Sequence, residues 1–180
     1  APDEIKPLSP RLRMGLGKVA AQAVAAAGDG KGANRIVEAM NGPGLSKRDL
    51  GGISYLQGLA AEAGKQWDQA VTKYREAEES ESRPDRAYAA RNRIELQLKR
   101  GSITAKDAIK QLEKLRFAWR GEDFEYSLLK RLGELTLADG QYAEGLRLLR
   151  SIVANYPDHP DIGTIQAMMS STDRKSTRLN

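Results

Sequence analysis

No cysteine occurs in the 180 residues, which excludes disulfides, thiolate metal sites and a cysteine nucleophile. The redox state of the compartment stays open, since a helical protein needs no disulfide. Histidine is nearly as scarce: His159 stands alone, so no second imidazole can complete a metal site or a proton relay. Aromatic residues make up 6% of the chain, and Val and Ile are thin beside Ala, Leu, Glu, Lys and Arg. That balance favours helix over sheet. No apolar run approaches the roughly 20 residues of a membrane-spanning helix, so no membrane span is expected. A leader with a charged start and an apolar core is also missing from the opening Ala1-Pro2-Asp3-Glu4, which reads as the product of leader removal or as an interior piece of a larger protein.

Basic residues are in excess, 29 Lys and Arg against 24 Asp and Glu, for a net charge of +5. Part of that excess lies in the final eight residues, Asp173-Arg-Lys-Ser-Thr-Arg-Leu-Asn180, which resemble the in-frame translation of a sequencing adapter. They carry a net +2 and leave +3 on the rest, so net charge gives a nucleic-acid reading little support. Residues 171–180 are expected to be a disordered, non-native tail.

Glycine and proline punctuate what remains. Residues 1–10, with Pro2, Pro7 and Pro10, read as a linker ending at a helix entry. Helical hairpins are expected at about 11–41, 47–79, 84–119 and 122–156, with a further helix beginning over 161–170. Their very short turns at Gly28-Asp-Gly30, Gly64, Gly101 and Asp139-Gly140 require antiparallel neighbours. Thr104 and Asp107 have capping-box spacing.

Hairpins of similar size call for a search for repeats. From Tyr126 to His159 run Leu129, Leu132-Gly133, Gly140, Tyr142, Leu149, Ile152 and Pro157. Gly133 lets the two helices approach closely, Gly140 supplies the turn and Pro157 stops the second helix. Over its 34 residues this unit resembles the tetratricopeptide repeat, with Gly145 in place of the family's usual alanine. Leu56, Gly58, Gly64, Trp67, Ala70, Tyr74 and Ala77 give a second unit. Ile94, Leu96, Gly101, Ala108, Ile109, Leu112 and Leu115 give a third with a longer turn, and Gly15 to Met40 a degenerate fourth. The segment from Arg116 to Tyr126, with Leu128 to Gly133, is also similar to large bacterial proteins with such repeats in the cell envelope. That resemblance implies a periplasmic or envelope location and assigns no activity.

The fold expected is therefore all-α, a right-handed solenoid of stacked antiparallel hairpins. Chemistry-bearing patterns are sparse. His159 beside Asp158 and Asp161 reads as an exposed inter-repeat turn rather than an acid–base site. Gly15-Leu-Gly17-Lys18 and Gly28-Asp-Gly30-Lys31-Gly32 lack the spacing and the preceding strand of a phosphate loop. The pairs Glu78-Glu79 and Glu122-Asp123 sit at helix ends, where solvation and the helix dipole account for them. Arg91, Arg93, Lys99, Arg100, Lys130 and Arg131 alternate with Glu95, Glu113 and Glu134, a mixed helix surface. Phe117, Trp119 and Phe124 are expected to fill the core between two hairpins.

These observations point to a scaffold that binds a protein or peptide, with no catalytic residue, cofactor, metal or small-molecule substrate. What the resemblance implies about contacts follows from such stacks, in which the first helix of each hairpin lines the concave face. The polar positions expected to touch a partner are then Arg91, Asn92, Glu95, Ser127, Lys130 and Glu134. Two alternatives are a non-catalytic arm of a larger envelope enzyme and a nucleic-acid-binding repeat, the latter requiring a continuous basic face.

Overall fold

The computed structural model describes residues 2–179, and the side chains of all of these but 122 and 173–179. Among the described residues ten helices follow in chain order: α1 (Pro2–Ile5), α2 (Pro10–Ala26), α3 (Gly30–Met40), α4 (Lys47–Ala63), α5 (Trp67–Glu78), α6 (Arg83–Lys99), α7 (Ala105–Leu115), α8 (Glu122–Ala138), α9 (Tyr142–Asn155) and α10 (Ile162–Leu179). Among the described residues there is no strand.

Local chemistry sets the ends of these helices. Proline stands in the first turn of α2 and of α6, where its missing N–H costs nothing. Ser46 with Asp49 and Thr104 with Asp107 form reciprocal capping boxes at the starts of α4 and α7, and these bonds hold both carboxyls below the usual carboxylate range. Asp29 caps α3 by accepting from the Gly32 N–H at 2.7 Å. Left-handed residues follow α2, α6 and α8: Gly28 at φ 83°, Gly101 at 69° and Gly140 at 82°. At the corresponding point after α4 the left-handed residue is Lys65, φ 59°, rather than the neighbouring Gly64.

The chain divides into two compact units after Arg100. In the first, α2/α3 and α4/α5 are antiparallel hairpins followed by α6, and α4 packs against α2, α3, α5 and α6. In the second, α8/α9 is a hairpin, with α7 packed on α8 and α10 on α9. The boundary falls inside the third expected hairpin, between α6 and α7.

One pairing recurs within the hairpins. A Cβ on Gly58 would collide with the Tyr74 ring, and one on Gly133 with the Leu149 side chain. In both, a first-helix glycine faces a fully buried large residue sixteen positions later; Ala21 and Val37 have the same spacing and are each 1% exposed. The α6 residue in the glycine's place is Ile94, so the small side chain is missing where the chain divides.

Phe124 is fully buried and continues on α8 into Leu128 and Leu132 at i+4 and i+8. Phe117, by contrast, is 79% exposed, and Trp119 is only half-buried, its indole lying over Gly121. The expectation of core packing is thus wrong for Phe117. The chain leaves the helical path after Leu115, and the turn that follows points this ring outward. The 1–10 segment also holds more than a linker, because the turn α1 buries Ile5 and packs on α3. Helix α10 extends past position 170 to Leu179, and the expectation of a non-native tail falls largely on side chains outside the described residues.

Two stability predictions follow from this packing. Phe124→Ala should cost about 3–5 kcal/mol, as other buried aromatic truncations do, whereas Phe117→Ser should stay within about 0.5 kcal/mol. Equal midpoints in chemical denaturation would contradict the assignment. Lys65→Gly should raise stability by roughly 0.5–1 kcal/mol by relieving a left-handed Cβ; a lower midpoint would show that the lysine side chain makes up for its backbone strain.

Candidate functional site

Helices α2 and α4 open successive hairpins and α6 follows the second, with α2 packed on α4 and α4 on α6, so the three run parallel and side by side in the first unit. Their shared face carries two depressions. One, of about 270 Å³, lies near their N-terminal ends, between Met14 and Lys18 of α2, Arg48 and Gly52 of α4, and Asp85 of α6. The other, of about 430 Å³, lies near their C-terminal ends and is lined by Gln22, Leu59, Glu62, Lys65, Trp67, Asn92, Glu95 and Lys99. Together they make a groove along one face of the unit. A larger hollow of about 790 Å³ lies on another side, between α3, α4 and the start of α5, with Gly30, Ala60 and Gly64 among its lining.

Beneath the groove sits a hydrogen-bonded aromatic layer. Tyr55 lies between Tyr74 and Tyr88, with ring centroids 6.2 and 6.3 Å apart. The Tyr74 hydroxyl donates to Glu62 Oε2 at 2.6 Å, which ties a groove carboxylate to a core ring. The Asn92 side chain acts on the hydroxyls of both Tyr55 and Tyr74, favouring their ionised forms. Burial pushes the Tyr55 hydroxyl up to about 12, with help from Tyr88 and Asp85. Burial and the adjacent Glu62 carboxylate push Tyr74 up further. At the other end of the groove Lys18 Nζ donates to Asp85 Oδ1 at 2.9 Å, and Asp85 is only 6% exposed. Arg100 stacks its guanidinium over Trp67 at 5.3 Å.

The six polar positions expected from the sequence fall into two groups, one in each unit. Asn92 and Glu95 line the 430 Å³ depression; Arg91 is half-buried on the same helix. Ser127, Lys130 and Glu134 are half-buried on α8. Ser127 Oγ donates to the Phe124 carbonyl at 3.0 Å. Lys130 Nζ donates to Asp161 Oδ2 at 2.9 Å, a bond that raises the lysine pKa and lowers that of the carboxyl. Glu134 lies 3.6 Å from Arg131. Sequence reasoning missed Gln22 and Glu62, which line the same depression as Asn92 and Glu95, and the Tyr55 and Tyr88 rings beneath it.

His159 is less open than an exposed turn implies. It is half-buried and stacked on Tyr126 at 3.6 Å and 18°, and its Nδ1 accepts from the Asp161 N–H at 3.2 Å. Among the described residues, no group of three or more His, Cys, Asp or Glu is placed to hold a metal ion, and no helix is long and apolar enough to cross a membrane.

Stacked antiparallel hairpins with this internal spacing define a TPR-like helical-repeat fold. The family model for the tetratricopeptide repeat matches residues 54–80 and 127–159, the segments of the α4/α5 and α8/α9 hairpins. No curated protein matches the chain. Among solved structures, the chain is similar to the nearly identical TPR-like repeats of a putative kinesin light chain from Podosopora anserina, at 17% identity and a TM-score of 0.67, covering 94% of this chain and 88% of that one. A point variant of the same repeats gives a TM-score of 0.66 at the same identity and coverage. At that identity the likeness is one of fold.

Alkaline titration should report on the tyrosine layer. An unfolded phenol ionises near 10 while Tyr55 holds its proton to about 12, so the unfolded chain releases this proton first. The stability this layer contributes is present below pH 10 and lost as pH rises through 12. Tyr74 acts with the same sign. The denaturation midpoint should therefore fall across that window, and less steeply in the Tyr55→Phe, Tyr74→Phe double variant. Parallel pH profiles would refute the coupling.

Proposed function

We propose that this chain is a non-catalytic protein-interaction scaffold whose first-unit groove receives an extended segment of a partner protein. The observation that carries this reading is the continuous face of α2, α4 and α6, which holds both depressions and mixes apolar with polar groups. Hollows of a few hundred cubic ångströms with a few fixed polar groups suit individual side chains of a bound peptide. Tetratricopeptide repeats generally mediate protein–protein contact, and the family match over residues 54–80 and 127–159 supports the same use here. Charge in the groove is mixed: Glu62 and Glu95 stand with Lys65 and Lys99 in the same depression. A phosphate backbone would meet repulsion there, which disfavours nucleic acid. The polar row of Ser127, Lys130 and Glu134 on α8 offers a second contact surface. The Lys130–Asp161 bond holds its ammonium in one place and so reduces what ordering costs on binding.

A displayed random-peptide library panned on the immobilised protein tests this. Selected peptides should lose at least about tenfold in affinity, roughly 1.4 kcal/mol, for the Glu95→Lys, Lys99→Glu double variant, while its melting curve stays unchanged. Arg150→Ala, on the exposed face of α9, should have no effect. Peptides that bind wild type and groove variant equally would remove the groove from the function.

A further inference from the structure

The outer face of α2 is not finished as an end of a stack should be. Leu12 is 55% exposed, Leu16 56% and Val19 69%, and Ala23 and Ala26 continue the row in the open. The spacing of 4, 3, 4 and 3 puts all five on one stripe of the helix. A terminal repeat in a solenoid ordinarily turns a polar face to water.

Internal repetition identifies what belongs on this face. Helices α2 and α4 are both 17 residues long and both open a hairpin, so Leu16, Val19 and Ala23 correspond to Ile53, Leu56 and Ala60. Those three are 5%, 1% and 3% exposed. The difference arises from neighbours rather than from the helix: α4 has the whole preceding hairpin against it, α2 on one side and α3 on the other. A Cβ on Gly30 of α3 would strike the Ala60 carbonyl and the Gly64 backbone, so the cover over Ala60 is close. The pattern repeats at α6, which packs on α4 and α5 and buries Ala89 and Leu96 at the positions of Ile53 and Ala60.

We infer that the outer face of α2 is a stacking interface for one further helical hairpin of the same kind, placed against α2 as α2 and α3 are placed against α4. The partner is thus an amphipathic two-helix unit. Its second helix brings small residues to the Ala23 end, where α3 brings Gly30 to Ala60. A second copy of this chain is a poor supplier of that unit. Each second helix of its hairpins already carries the next helix: α3 carries α4, α5 carries α6 and α9 carries α10. This inference stands apart from what the groove binds.

The test inserts a second copy of residues 10–46 between Ser46 and Lys47, so that the inner copy of α2 receives the outer hairpin in the native register. The melting temperature should rise by at least about 4 °C over the parent chain. The pair Leu16→Glu and Val19→Glu in the inner copy should erase that gain. The same pair in the outer copy, or in the parent chain, should leave the melting temperature unchanged, because there the stripe is bare. An extended chain that melts no higher than the parent, or fails to fold, overturns the inference. So does a fall in melting temperature for the parent carrying the pair, which would mean the stripe is already core. A parent chain that sediments as a dimer, and as a monomer once it carries the pair, would assign the face to a second copy instead and overturn the hairpin.

Discussion

Close approach of two helices at a glycine or alanine is the constraint on which the hairpins depend. Gly58 admits the Tyr74 ring and Gly133 admits Leu149, and the large partner in each case is fully buried. Helix length, turn length and the left-handed residue between the helices all serve to bring positions sixteen apart face to face. Where Ile94 replaces the small residue, the regular pairing lapses, and the chain divides into two units a few residues later. Stability in such a stack is a sum over near neighbours, so loss of one pairing is felt within its own unit first.

The groove is a secondary product of that pairing. Because each second helix tucks behind its first, the first helices are left side by side with one face open. The residues there are therefore selected by position in the hairpin and not by nearness in sequence. Gln22, Glu62, Asn92 and Glu95 come from three different repeats and line one depression. Its polar groups are not free agents either, since Glu62 accepts from the Tyr74 hydroxyl underneath.

Much of the fold was legible because glycine, proline and buried apolar spacing are local signals. The all-α class and the tetratricopeptide-like hairpins around Gly58 and Gly133 could be read directly, and the first-helix rule put Asn92 and Glu95 on the helix that lines the depression. What escaped depends on three-dimensional neighbours. Phe117 and Phe124 are identical side chains seven residues apart, yet Phe124 is buried and Phe117 open, because Phe117 lies past the end of α7 and Phe124 inside α8. The turn after α4 was assigned to Gly64 on composition, while the left-handed residue is Lys65. Trp67 was legible only as a position of the second unit, and its ring is engaged by Arg100 at the end of α6, a pairing that unit does not contain. Tyr55 and Tyr88 carried no polar partner in sequence that would have marked them as the floor of a groove.

The Tyr74–Glu62 bond joins the two levels of this molecule. One end of Tyr74 fills the space that Gly58 leaves, and the other end holds a carboxylate at the rim of the groove. The ring therefore acts as a lever with its fulcrum inside the hairpin. Any adjustment in how tightly α4 and α5 close would be transmitted to the groove as a displacement of negative charge, and a ligand gripping that charge would in turn tighten the hairpin.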